Sequence, residues 1–243
     1  MDENWLTAIF NKYLAGVANA ILGLVNLKAN DPAHPWETWL VMELLVFVIL
    51  ILLVAAVRPH FSADRPGKLQ HLFETIYAFL KTQASEVGIE HPDKYVGFFG
   101  TLFIFILAMN LIGIIPTFES PTMSVYVPAG LAVATWIYYH AQGIRELGLW
   151  KYLAQFGGPI LVLAPLMFFI EIIGHVARML SLTVRLYGNM FAGEQITNVF
   201  ISLTYLVVPV VFMALHVFVS FLQAYVFTLL TMIYVSIGTS HEH

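Results

Sequence analysis

Long apolar runs separated by short polar stretches dominate the chain. Residues 39–57 (WLVMELLVFVILILLVAAV) carry one acid, Glu43, near their start. As a helix this run is long enough to cross a hydrocarbon core about 30 Å thick. Residues 96–115, ended by Pro116, and residues 126–143 predict a second and a third span. Two longer stretches follow, 160–203 and 207–238. As single helices rising about 1.5 Å per residue they reach about 65 Å and about 48 Å, the first twice the core thickness. No proline interrupts the first between Pro165 and Pro209, so a break there falls to Gly174, Gly188 or Gly193. Without a break both helices lie strongly tilted. Strong tilt is the expectation, with Pro209 in the first turn of the last helix, where proline is tolerated. A mismatch this large calls for a protein partner along the exposed length.

Two segments depart from the pattern. Leu69, Leu72, Phe73, Ile76 and Leu80 share one helical face, with Gln70, Glu74 and Lys81 away from it. This predicts an amphipathic helix over about 68–87, lying in the membrane interface or packed on another subunit. Residues 5–27 are moderately apolar and fit an interfacial helix rather than a span. The expected architecture is an all-α integral membrane protein of five transmembrane helices, the last two long and tilted, plus an interfacial amphipathic helix. Residues 1–36 form an N-terminal extracytoplasmic or interfacial segment and 37–243 a single membrane domain.

Composition agrees: 59% of the 243 residues are hydrophobic and 11% are charged, where a soluble domain carries about 25% charged residues. The absence of cysteine excludes disulfide frameworks and thiolate metal sites. Charge position sets orientation. Arg58, Arg65, Lys68, Lys81 and Lys94 fall within 58–94, and Arg145 and Lys151 lie in the next loop on that side. The loop 116–125 has only Glu119, and the turn near 204–208 has no charge. The positive-inside bias makes the basic segments cytoplasmic. Five spans then put the N-terminus outside and the C-terminus (His241, Glu242, His243) inside. The start Met1-Asp2-Glu3-Asn4-Trp5 lacks the basic character of a signal peptide, which favours a bacterial plasma (inner) membrane, although an organelle-encoded chain has the same look. No nucleic-acid partner is expected.

Ionisable groups inside membrane helices are costly, so each needs a reason. The fourth span holds Glu171, His175, Arg178, Arg185 and Glu194, and the fifth holds His216; Asn189, Gln195 and Gln223 accompany them. Glu171, Arg178 and Arg185 are seven apart and share a slowly drifting face, which Asn189 joins at i+4. Glu194 points about 180° from Arg185 on an ideal helix and belongs to a separate cavity. His216, Gln223 and Tyr234 share a face of the last helix. Pairing the helices antiparallel with Arg185 level with Gln223 puts Glu194 about 13 Å and His216 about 10 Å outward, and Glu171 about 21 Å the other way. An acid and a histidine then meet on the outer side, and Arg185 stands between two polar half-routes. A proton path with a central electrostatic gate requires this arrangement.

Plainer roles exist for most of these residues. Arg178 can snorkel toward cytoplasmic headgroups, Glu171 and His175 can pair at i, i+4, and Asn110 in the second span can be a helix–helix hydrogen bond. His140 fits an interfacial position. Arg185 has no acid adjacent in sequence, so a structural role explains it least well. A secondary ion transporter is the alternative, but such proteins show internal repeats and broken helices, and no matching halves are visible. A metalloenzyme on Glu171, His175, His140 or His216 has only a weak Glu-x-x-x-His spacing to support it. No metal and no cofactor is implied.

The run Ser181-Leu182-Thr183-Val184-Arg185-Leu186-Tyr187-Gly188-Asn189-Met190-Phe191-Ala192-Gly193-Glu194 resembles the signature of F-type ATP synthase subunit a. His216 and Gln223 in LHVFVSFLQAYVFTLLTMIYVS, the run Arg65-Pro66-Gly67-Lys68-Leu69-Gln70, and Met109-Asn110-Leu111-Ile112-Gly113-Ile114-Ile115-Pro116 are similar to other patterns of that family. The resemblance covers about 40–238. Met179 stands where the family usually has proline. The resemblance implies a non-catalytic stator beside a ring of c subunits, each with a membrane-buried carboxylate, held by peripheral-stalk b subunits and surrounded by lipid. Protons enter one half-channel, ride the ring and leave by another. Carried over by position, Arg185 is the gate, Asn189 and Gln223 its neighbours, Glu194, His216 and Asn110 the outer half-channel, and Glu171 and His175 the inner one. A cation about 4 Å from a carboxylate favours its ionised form by about 4 kcal/mol at an effective dielectric of about 20, so a ring carboxylate sheds its proton before passing Arg185. A guanidinium does not give up its own.

Overall fold

The computed structural model describes residues 4–24, 31–62, 67–115, 117–156, 163–203 and 207–239. Among these the regular structure is entirely helical: α1 (Trp5–Leu24), α2 (Thr38–Val57), α3 (Lys68–Glu86), α4 (Val96–Ile112), α5 (Tyr126–Leu147), α6 (Leu149–Gln155), α7 (Ala164–Leu203) and α8 (Val207–Thr239), with three short 3-10 turns. In an apolar medium a helix is the local way to pair every backbone polar group, so the uniformly apolar runs adopt it. The α2 helix stops where Pro59 removes a backbone donor and Arg58–His60 tightens into a 3-10 turn. Arg65, Pro66, Pro116 and His241–His243 lie outside the described residues.

Two helix ends and one additional helix differ from the sequence expectation. The α4 helix ends at Ile112 rather than at 115, because the chain folds back there. A Cβ on Gly113 would lie 3.0 Å from the Ser120 Cβ and 3.1 Å from its backbone nitrogen. Ser120 Oγ donates to the Met109 carbonyl at 2.9 Å, and Thr122 Oγ1 to Asn110 Oδ1 at 2.7 Å. The α5 helix continues to Leu147 and ends at Gly148, whose φ of 78° is a conformation glycine adopts without strain. The seven-residue α6 was not anticipated at all.

No break interrupts α7, which runs 40 residues through Gly174, Gly188 and Gly193; α8 runs 33 residues with Pro209 in its first turn. They are about 60 Å and about 50 Å long. Among the described residues, three helices are long and apolar enough to cross a membrane: Thr38–His60, Ala164–Phe200 and Val210–Thr239. Val96–Ile112 is apolar but shorter. The α5 helix is less apolar because Thr135, Tyr139 and Gln142 occupy its buried face.

The core is built around α8, on which α4, α5 and α7 all pack. Phe103 and Ile106 of α4, Ala132 of α5, Leu186 and Met190 of α7, and Ala224 and Phe227 of α8 are buried in it. The amphipathic face of α3 is divided. Leu80 and Ala84 are buried within the chain, and Tyr225 and Ser236 of α8 donate to Gln83 and to the Val87 carbonyl. Leu69 and Leu72 stay exposed. Lys81 and Tyr77 donate to Asp93, holding its carboxyl below the ordinary carboxylate range. The α1 helix is fastened to the residues ahead of α2, with Asn11 and Trp36 exchanging two hydrogen bonds, and to the α4–α5 loop, with Asn4 Nδ2 donating to the Thr117 carbonyl at 2.5 Å.

Candidate functional site

Arg185 sits half-buried near the middle of α7, its Nη2 donating to Ser181 Oγ at 3.3 Å one turn earlier. Among the described residues no carboxylate pairs with it. Arg185, Asn189, Gly193, His216 and Gln223 line a cavity of about 530 Å³ between α7 and α8. Asn189 Nδ2 donates to Gln223 Oε1 at 2.8 Å. The direct contact of Gln223 is thus one turn, about 6 Å, beyond the level with Arg185 expected from spacing, although all three share the cavity. Gln223 Nε2 is buried without a partner among the described residues.

A second cavity, about 320 Å³, lies toward the C-terminal end of α7 and is lined by Glu119, Glu194, Thr197, Asn198, Met213 and His216. Glu194 and Arg185 therefore face different cavities, while His216 borders both. Gly193 lies beside that imidazole: a Cβ there would stand 3.6 Å from His216 Nδ1, an ordinary contact distance. Glu194 Oε2 and His216 Nε2 are buried and have no hydrogen-bond partner among the described residues. Buried polar atoms are normally paired, so two in one cavity mark a place where a proton or water can be held. Asn110 is fully buried nearby, with Nδ2 3.5 Å from the Ser220 carbonyl and Oδ1 accepting from Thr122. It ties α4 to α8 and to the loop, as a helix–helix hydrogen bond does.

At the other end of α7, Glu171, His175 and Arg178 meet Tyr139 of α5, Tyr152 of α6 and Tyr234 of α8 around a cavity of about 180 Å³. The Tyr139 hydroxyl is 2.5 Å from His175 Nδ1, and Arg178 Nη1 is 3.4 Å from the same atom. His175 Nε2 lies 3.4 Å from Glu171 Oε1. With donors at Nδ1 and a carboxylate at Nε2, the neutral ring carries its proton on Nε2. Arg178 is engaged within the chain: its Nη2 is 3.3 Å from Glu171 Oε1 and its guanidinium lies over the Tyr234 ring at 5.8 Å. His140 is also drawn in, bonded to the Tyr152 hydroxyl with its ring 4.6 Å from that of His175.

One face of α7 stays uncovered by the rest of the chain. Ala177, Ser181 and Ala192 are exposed along it, and a Cβ on Gly188 would touch nothing. Small residues at this spacing let another helix approach closely. Arg185 stands beside this stripe.

Sequence reasoning missed Tyr139, Tyr152 and the placement of Glu119. Thr135, Tyr139 and Gln142, spaced four and three apart, were a readable polar stripe on α5. Nothing local marked Tyr152, which reaches the site because Gly148 turns α6 back under α5.

The comparisons with known proteins agree with one another. A family model described as ATP synthase A chain matches residues 39–236. The ATP synthase subunit a of Solibacter usitatus is 55% identical over 235 residues, covering 97% of this chain and 100% of that protein. That of Koribacter versatilis is 45% identical over 98% of each chain. The corresponding Geotalea daltonii protein is 42% identical over 91% of this chain and 93% of its own.

Proposed function

This chain belongs to the ATP synthase A chain family, proton-translocating membrane subunits of the F-type stator, and we propose that it moves protons through two offset half-channels separated by Arg185. In this reading α2, α4, α5, α7 and α8 cross the bilayer, α7 and α8 strongly tilted, with α3 at the cytoplasmic interface and residues 1–36 outside. The basic segments are cytoplasmic, the N-terminus external and the C-terminus internal, in a bacterial plasma membrane. The uncovered stripe of α7 faces a ring of c subunits, the peripheral-stalk b subunits hold the chain in place, and lipid covers the remainder. The subunit performs no bond chemistry itself.

Protons enter through the cavity of Glu194 and His216 and neutralise a ring carboxylate. They ride the ring through most of a turn and leave past His175 and Glu171. Arg185, with Asn189 and Gln223 beside it, holds each passing carboxylate ionised, so a proton cannot cross directly between the half-channels. A membrane potential supplies about 2.3 kcal/mol per charge per 100 mV. Asn110 fastens the helices that form the outer route.

The observation that carries this reading is the division of polar groups along α7 into three places: Glu171 with His175, Arg185 with Gln223, and Glu194 with His216. Exchanging the gate tests it. Arg185→Gln with Gln223→Arg keeps a guanidinium in the same cavity and should retain more ATP-driven proton pumping in membrane vesicles than Arg185→Gln alone. Rescue is partial, because a displacement of about 1 Å can cost about a hundredfold in rate. Equal and complete loss in both, with normal assembly, would count against the reading.

A further inference from the structure

An exposed carboxylate on a surface loop is ordinarily a solvated charge and nothing more. Glu119 differs in what holds it and in what it faces. It is the single charged residue of the segment 116–125. The loop around it is tied down on both sides: Ser120 and Thr122 bond to Met109 and Asn110 at the end of α4, Thr117 takes a left-handed φ of 78° and accepts from Asn4, and Phe118 packs on Trp5 with ring centroids 6.4 Å apart. Glu119 is therefore held in place, exposed on one side, which the topology proposed above makes the external side, and lining the cavity of Glu194 and His216 on the other. His216 is only 8% exposed there, and its Nε2 has no partner among the described residues.

We infer that Glu119 is the proton-collecting residue at the outer mouth of this cavity. The inference rests on the half-channel reading above and adds an entry step to it. A hydronium ion in the external water gives its proton to the Glu119 carboxylate and becomes water. The carboxyl then passes that proton to water in the cavity, which delivers it to Glu194 or His216, and the carboxylate is restored. The cavity has room for several waters at about 30 Å³ each. The titratable groups facing Glu119 across it are Glu194 of α7 and His216 of α8; α1 contributes the uncharged Asn4 and Trp5 to the loop that carries it. A fixed negative charge at the mouth of a low-dielectric cavity concentrates cations and speeds their entry.

The test uses the complete ATP synthase in vesicles. ATP synthesis per assembled complex is measured while the pH on the Glu119 side is stepped from acidic to alkaline at constant total driving force. Glu119→Gln should match the unaltered enzyme at the acidic end, where protons are plentiful, and run about tenfold slower at the alkaline end. Glu119→Asp should keep most of the rate throughout. Added salt should slow the unaltered enzyme toward the Glu119→Gln rate at the alkaline end and leave that variant unchanged. Glu194→Gln in parallel should be slow at every pH. A Glu119→Gln enzyme equal to the unaltered one throughout, or slowed by the same factor at every pH, overturns the inference while a slow Glu194→Gln leaves the half-channel reading standing. A fully active Glu194→Gln overturns the half-channel reading and this inference together.

Discussion

Asn189 of α7 donates a side-chain hydrogen bond to Gln223 of α8 at 2.8 Å, one turn from Arg185. Gln223 is 4% exposed and Asn189 is exposed, so the bond is part-buried, and it links the two long helices at this level. A bond of this kind contributes about 0.5–1.5 kcal/mol. Asn189→Ala and Gln223→Ala should each slow ATP-driven proton pumping by about two- to tenfold, which is that energy expressed as a rate. The double variant should be no slower than the worse single one, because both remove the same contact. Multiplying losses would show that the two amides act independently.

Two glycines separate packing within the chain from packing against a partner. A Cβ on Gly143 would fall 2.4 Å from the Tyr152 ring and 2.7 Å from the Gly238 carbonyl. Gly143→Ala should cost about 1–3 kcal/mol by overpacking and lower the amount of subunit in membranes. A Cβ on Gly188 would meet nothing in the chain. Gly188→Leu should accumulate normally yet slow proton-driven ATP synthesis, because bulk there obstructs the ring. Immunoblots paired with synthesis rates check both, and normal synthesis by Gly188→Leu would move the ring face elsewhere.

The helices were legible in the sequence because apolar runs of membrane length have one way to pair their backbones. Arg185, Glu194 and His216 stand out in the sequence because a polar or charged group in such a run contrasts with it, and the structure places each of them on a cavity beside α7 and α8. Legibility failed where tertiary packing decides. The contact of Arg178 with Tyr234 depends on another helix, and the end of α4 at Ile112 depends on Ser120 pressing against Gly113. The pairing of Gln223 with Asn189 depends on a register that side-chain spacing leaves open by one turn. The bracing of the α4–α5 loop by Asn4 has no trace in local sequence, since the two residues are 113 positions apart.

Topology can be read by labelling, since the chain has no cysteine. Ser62 and Val125 are exposed, whereas Thr122 is fully buried and bonded to Asn110, which makes it a poor probe. Single cysteines at Ser62→Cys and Val125→Cys should react with an impermeant maleimide from opposite sides of the membrane, Ser62→Cys from the cytoplasm. Reaction of both from one side would be incompatible with five spans.

The account turns on Arg185 keeping two proton routes apart, and passive proton conductance measures that directly. Vesicles carrying the complete enzyme with Arg185→Ala, placed under an imposed potential, should leak protons that the unaltered enzyme retains. Their ATP synthesis should fall by about a hundredfold or more, as expected when a fixed charge is taken from a buried site. Glu194→Leu, with the gate intact, should slow synthesis and leave the vesicles tight. Arg185→Ala vesicles that stay tight and still make ATP, or Glu194→Leu vesicles that leak, would contradict the account.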